Sequence, residues 1–147
     1  MTNKEINIIS NLKEKDEVLA RSYNDLLYFG RAFLPSDFLN KSSSPVFHAE
    51  VSKKLIDTKP GARICNILPR GFGKSILSKA AILHKICFAP KGQRQFIAWV
   101  AEEQGQAIDH LKYVKSHLEY NESIRYYFGN LSGDSVGNRW TEKDIVT

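Results

Sequence analysis

The chain has 147 residues, of which 42% are hydrophobic and 25% are charged, a composition typical of a soluble globular domain with a real core. Its formal net charge of +5 favours a polyanionic partner, and the absence of an apolar run near ~18 residues excludes a membrane-spanning helix. The charged segment 1–15 is unlike a secretory signal, and Cys65 and Cys87, each in an apolar run, predict buried free thiols of a reducing compartment.

The first part of the chain predicts three helices. Residues 1–22 mix charged and aliphatic side chains and predict a helix with one apolar face. A second helix is predicted over 24–34, with Asn24 as its N-cap and Pro35 as its end. A third is predicted over 46–57, where apolar side chains recur every fourth residue.

The second part predicts alternating strands and helices. The apolar, β-prone runs 62–68 and 95–101 predict strands covered on both faces. Residues 75–88 predict a buried helix, and residues 102–120 predict a long helix with one apolar stripe. The remaining predictions are a short helix over 121–128, a loop over 130–138 and a strand that begins in 140–147. Strand, helix, strand and helix in this order predict a parallel α/β fold.

The turn between the first predicted strand and the next helix predicts a phosphate-binding loop. A helix N-terminus offers unpaired N–H groups and a partial positive charge. Gly71 and Gly73 let the backbone curl so that these N–H groups converge on an anion. Lys74 would then meet the outer phosphates, and the Ser75 hydroxyl would hold Mg²⁺. Arg70 adds a second cation, which could reach the γ-phosphate in cis.

The phosphate-loop pattern is incomplete. Its strict form, G-x-x-x-x-G-K-[ST], requires a glycine where this chain has Leu68. Gly-Lys-Ser alone also fits a surface turn with a solvated lysine. The predicted strand before the turn and the predicted helix after it favour phosphate binding.

Two acidic residues, Glu102 and Glu103, follow the second predicted strand. ATP hydrolysis needs an acid that holds Mg²⁺ and a carboxylate that polarises water, and this pair could supply both. They could instead be first-turn acids of the next helix, stabilised by its dipole. The second interpretation is favoured, because motor ATPases have a further strand before the acidic one. That strand would then lie beyond Thr147.

The order of motifs resembles one known family. The motifs are Phe-Leu-Pro at 33–35, Pro-Val-Phe-His at 45–48, Pro-Arg-Gly-Phe-Gly-Lys-Ser at 69–75, Gln-Gly-Gln-Ala at 104–107 and Arg-Trp-Thr-Glu-Lys-Asp-Ile-Val at 139–146. Over about residues 25–147, the chain resembles the N-terminal ATPase domain of the large terminase subunit of tailed bacteriophages. That family often has an arginine ahead of Gly-x-Gly-Lys-Ser.

The resemblance implies a RecA-like (ASCE) P-loop NTPase fold, a parallel sheet flanked by helices. Residues 1–22 would be a helical extension packed beside it, and 23–147 an incomplete ATPase domain. The implied ligands are ATP and Mg²⁺. The implied contacts are Arg70 and Lys74 with the outer phosphates, Gly71, Phe72 and Gly73 with the phosphate chain, Ser75 with Mg²⁺, and Phe47 and His48 with adenine.

The resemblance also implies a setting in the cell. Family members drive double-stranded DNA into a capsid, as a homo-oligomeric ring at the portal protein with a small terminase subunit, in the host cytoplasm. This chain has neither an acidic pair after a third strand nor a nuclease domain. Two alternatives remain open. One is a complete small P-loop enzyme that uses Glu102 or Glu103, and the other is a non-enzymatic basic DNA-binding module with salt-sensitive affinity.

Overall fold

The computed structural model describes residues 3–38, 44–59, 61–90 and 96–132, with the backbone alone for 3–11. These residues contain seven helices: α1 (Asn3–Asn24), α2 (Leu26–Phe33), α3 (Pro35–Phe38), α4 (Val46–Ile56), α5 (Lys74–Cys87), α6 (Gln104–Tyr120) and α7 (Glu122–Phe128). In the described part, no helix combines the length and apolar character needed to cross a bilayer. The strand predicted in 140–147 and most of the loop predicted over 130–138 lie outside the described residues.

The short helix α2 lies at the centre of the fold. It contacts α1, α3, α4, α5 and α7. Its sequence is almost entirely apolar, and Leu26, Phe29 and Phe33 are fully buried. The rings of Phe29 and Phe33 lie 4.9 Å apart, in the cluster formed with Leu83 of α5 and Leu118 of α6. Burial of apolar side chains around α2 therefore holds the helices together.

The helix α2 begins one residue later than predicted. Its N-cap is Asp25, whose Oδ1 accepts hydrogen bonds from the backbone N–H groups of Leu27 at 2.8 Å and Tyr28 at 3.1 Å. The predicted cap, Asn24, is the last residue of α1, and its side-chain amide donates to Ala20 O at 2.8 Å. A carboxylate at this position also interacts favourably with the helix dipole.

We expect Asp25→Ala to lower the free energy of unfolding by about 1 kcal/mol, because two N–H groups of α2 lose their acceptor. The matched control is Asn24→Ala, which removes one exposed hydrogen bond at the end of α1 and should cost less. Urea unfolding followed by circular dichroism measures both variants. Equal losses, or a larger loss for Asn24→Ala, would contradict the assignment of the cap.

The predicted parallel α/β fold is wrong. The described residues form no strand and no sheet, and both predicted strands, 62–68 and 95–101, lack strand structure wherever they are described. Their apolar side chains face solvent: the exposed fractions are 90% for Ile67, 95% for Phe96 and 88% for Val100. A central strand needs a hydrogen-bonded neighbour and a covered face, and neither run has them here. The core is built by helices instead.

The cysteine prediction is wrong for one residue and holds in part for the other. Both thiols are free, but Cys65 lies in the exposed 62–68 run. Cys87, at the end of α5, is partly covered and packs against the core. Burial raises the pKa of the Cys87 thiol to about 12, so this thiol stays protonated at neutral pH.

A buried histidine joins α5 to the end of α1. The Nε2 of His84 lies 3.0 Å from Ser22 O and 3.1 Å from Tyr23 O, so it donates to these two carbonyls. Carbonyls in the last turn of a helix have no partner within that helix, and His84 supplies one. Burial lowers the pKa of His84 below its ordinary value, and the two carbonyls oppose this only in part.

We expect His84 to weaken the fold in acid. Because its pKa is lower in the folded than in the unfolded chain, the unfolded chain binds more protons as the pH falls below about 6.5. The contribution of His84 to stability is therefore fully present well above that pH and declines as the pH falls below it. Urea unfolding from about pH 7.5 to about pH 5.5 should show a smaller decline for His84→Gln than for the wild type. His110 and His117, whose pKa values burial also lowers, are common to both proteins. An unchanged pH slope would contradict this role.

Candidate functional site

The start of α5 has the backbone shape of an anion-binding turn. Gly71 and Gly73 have φ values of 87° and 72°, a left-handed region that favours glycine. Gly73 is the N-cap of α5, and its carbonyl accepts from Leu77 N at 2.9 Å. Because the N-cap residue is a glycine, it makes no side-chain hydrogen bond to the first turn of α5. The first backbone N–H groups of α5, at Lys74, Ser75 and Ile76, thus have no partner within the helix.

The charge of Lys74 lies within the glycine loop, which we define as residues 69–75. Its Nζ donates to Leu68 O at 2.6 Å and to Pro69 O at 2.7 Å. An ammonium group has three N–H donors, so these two contacts leave one for another acceptor. The loop therefore combines a fixed cation with helix N–H donors.

Two aromatic residues of α4 lie against the tip of the loop. The Nε2 of His48 lies 3.1 Å from Phe72 O, and since a carbonyl only accepts, His48 must donate. The rings of Phe47 and Phe72 lie 5.5 Å apart. A Cβ added at Gly73 would stand 3.4 Å from His48 Nε2. The structure thus brings together Phe47, His48 and Phe72, three of the predicted nucleotide-binding residues, through contacts that they make with one another.

The other predicted residues of the loop face solvent. Arg70, Gly71 and Ser75 are all exposed. Among the hydrogen bonds of the described residues, none involves the side chain of Arg70 or Ser75. Both side chains are accessible to a ligand from solvent.

The acidic pair lies at the start of α6. Glu103 is its N-cap, with an extended backbone (φ −116°, ψ 142°), and its carbonyl accepts from Ala107 N at 3.3 Å. Glu102 and Glu103 are both exposed. No contact in the described part of the chain joins either carboxylate to Lys74 or Ser75. Their role in hydrolysis stays a prediction.

One polar cluster has no counterpart in the sequence analysis. The Tyr113 hydroxyl of α6 donates to Asp37 Oδ2 of α3, its ring lies 4.5 Å from that of His117, and Lys79 Nζ lies 4.4 Å above it. Asn121 Nδ2 contacts His117 Nδ1 at 3.1 Å. Burial, with the Asp37 carboxylate, raises the pKa of Tyr113, and burial lowers that of His117. The spacing of Tyr113 and His117 marks one helix face, but α3 was not predicted, so Asp37 could not be placed.

Comparisons with models of protein families, with curated proteins and with solved structures found no match to this chain.

Proposed function

We propose that the glycine loop binds the phosphate chain of ATP with Mg²⁺, as the ATP-binding part of a DNA-packaging motor of the terminase type. The observation that carries the first half is the Lys74 ammonium held at an uncapped helix N-terminus directly after two glycines of positive φ. The second half rests on the resemblance in motif order alone.

The proposed phosphate site needs no sheet. Its donors are the backbone N–H groups of the first turn of α5 and the side chain of Lys74, all within a few residues of one another. An anion at this position also gains from the dipole of a 14-residue helix. Arg70, an exposed residue of the same loop, would neutralise charge on the outer phosphate.

The residues present fit Mg²⁺ only together with a phosphate. Among the described residues there is no group of three or more histidine, cysteine or acidic side chains that could hold a metal ion. The exposed Ser75 hydroxyl, one residue inside α5, can supply a single ligand. Mg²⁺ keeps several waters and takes oxygens from substrate phosphates, so the Ser75 hydroxyl would add one ligand to a shell made mainly of water and phosphate oxygens. When bound, the ion would neutralise charge on the outer phosphates.

The proposed partner is double-stranded DNA, with a portal protein and a small terminase subunit in the host cytoplasm. The net charge of +5 supports a polyanionic partner. In such a motor, this chain's residues would hold the phosphates and the full protein would couple hydrolysis to DNA movement. A homo-oligomeric ring is part of the same proposal.

Isothermal titration of the chain with ATP, AMP and inorganic triphosphate, each with and without Mg²⁺, tests the phosphate site. We expect ATP and triphosphate to bind and AMP to bind far more weakly, because the donors meet outer phosphates. Mg²⁺ should strengthen ATP binding. Equal affinity for AMP and ATP, or no binding of either, would overturn the proposal. Salt-sensitive DNA binding that is indifferent to ATP would favour the basic-module alternative instead.

A further inference from the structure

The contact between His48 and the glycine loop fixes one peptide group. The carbonyl of Phe72 and the N–H of Gly73 belong to the same planar trans peptide, so they point in opposite directions. His48 Nε2 holds that carbonyl at 3.1 Å on the side of α4. The N–H of Gly73 must then point away from α4. Gly73 is also the N-cap of α5, so this N–H stands at the mouth of the proposed phosphate site.

The surroundings of this peptide reinforce its orientation. The Phe47 and Phe72 rings pack at 5.5 Å, which anchors the residue that carries the carbonyl. Gly73 has a φ of 72°, a conformation that favours glycine, and a Cβ added there would stand in van der Waals contact with His48, 3.4 Å from Nε2. The absence of a side chain at Gly73 therefore permits the backbone conformation that places this peptide beside His48.

We propose that His48 is a positioning residue that aims the Gly73 N–H at the phosphate chain, rather than a contact to the adenine base. The part of the inference that concerns phosphate rests on the proposed function. His48 uses its Nε2–H for Phe72 O, because a carbonyl oxygen can only accept a hydrogen bond. Its contribution to binding is thus made through the loop.

Two substitutions separate the hydrogen bond from the bulk of the ring. His48→Gln keeps an N–H donor within similar reach of Phe72 O, and His48→Phe keeps a ring but no donor. We expect His48→Phe to weaken ATP·Mg²⁺ binding about tenfold, the effect of one lost hydrogen bond, and His48→Gln to stay within about threefold of the wild type. His110→Phe is the matched control, because the His110 ring packs against Trp99 with the ring centres 4.4 Å apart, and a phenyl group preserves that contact.

A second measurement needs no nucleotide. In ¹⁵N-labelled protein, the Gly73 amide resonance should move in His48→Phe and stay near its wild-type position in His48→Gln. Binding by His48→Phe as tight as by the wild type would overturn the positioning role while leaving the phosphate site intact. A wild-type chain that binds no ATP·Mg²⁺ would overturn the proposed function, and the Gly73 resonance would still decide whether His48 orients the peptide. An unmoved Gly73 resonance in His48→Phe would overturn the inference.

Discussion

Lys74→Ala is expected to weaken ATP·Mg²⁺ binding by about 10- to 150-fold, the range for losing a hydrogen bond to a charged group. The ammonium is the one charge that the loop itself holds in place, through Leu68 O and Pro69 O. Its removal leaves the helix N–H groups, so weak binding should persist. Alanine is the best helix former, so α5 should be intact. Isothermal titration measures the affinity, and circular dichroism checks the helix content.

The matched control for this prediction is Lys85→Ala. Lys85 is exposed on the same helix, about 16 Å along it from Lys74, and its removal changes the net charge equally. If general electrostatics attracted the nucleotide, both variants would weaken binding alike. A loss confined to Lys74→Ala places the phosphates at the loop. Unchanged affinity in Lys74→Ala would remove the proposed site.

The helices could be predicted because their signals are local. Apolar spacing predicts α1, α4 and α6 to within a few residues of their observed bounds. The capping side chain Asn121, for example, accepts from Ile124 N at 3.0 Å and marks the start of α7. The start of α2 differs from the prediction because Asp25, and not Asn24, is its N-cap. The sequence does not predict α3, because Pro35 is taken there as the end of the preceding helix. A proline also fits the first turn of a new helix, which is where Pro35 lies.

The strands could not be predicted because a strand depends on a partner. The runs 62–68 and 95–101 have β-prone side chains, but propensity of that kind measures packing on a sheet that must already exist. The backbone N–H and C=O groups of a helix form hydrogen bonds with one another, whereas those of a strand need partners on another strand, which can be distant in the sequence. The pattern of side chains within one run does not indicate whether a partner strand exists beside it. The predicted fold class is wrong for this reason, whereas the predicted helices occur in the structure in the predicted order.

The candidate site stands between these cases. The conformations of Gly71 and Gly73 and the start of α5 beside Lys74 follow from local chemistry. The approach of His48 to Phe72 depends on how α4 packs, and the family resemblance implies only that both segments contact the same nucleotide. The sequence could not predict this specific hydrogen bond or the direction of the peptide group that it fixes, because both depend on the three-dimensional packing of α4.

Phe33→Ala is expected to lower the free energy of unfolding by about 3–5 kcal/mol, enough to unfold much of a marginally stable domain. Phe33 is fully buried at the end of α2, and its ring lies 4.9 Å from Phe29, 5.3 Å from Tyr127 and 5.3 Å from Phe128. Its removal opens a cavity between α2 and α7, since α2 is already held by several neighbours and has little room to collapse. Urea unfolding measures the loss.

The same substitution at Phe96 separates the helical core from the sheet that the sequence predicted. Phe96 is 95% exposed, so Phe96→Ala should change the unfolding free energy by no more than about 0.5 kcal/mol. In a central strand, the same ring would be covered and its removal would cost several kcal/mol. Equal large losses in Phe33→Ala and Phe96→Ala would show that residues 95–101 are buried, against the helical architecture. A loss confined to Phe33→Ala would place the stabilising apolar surface on the helices.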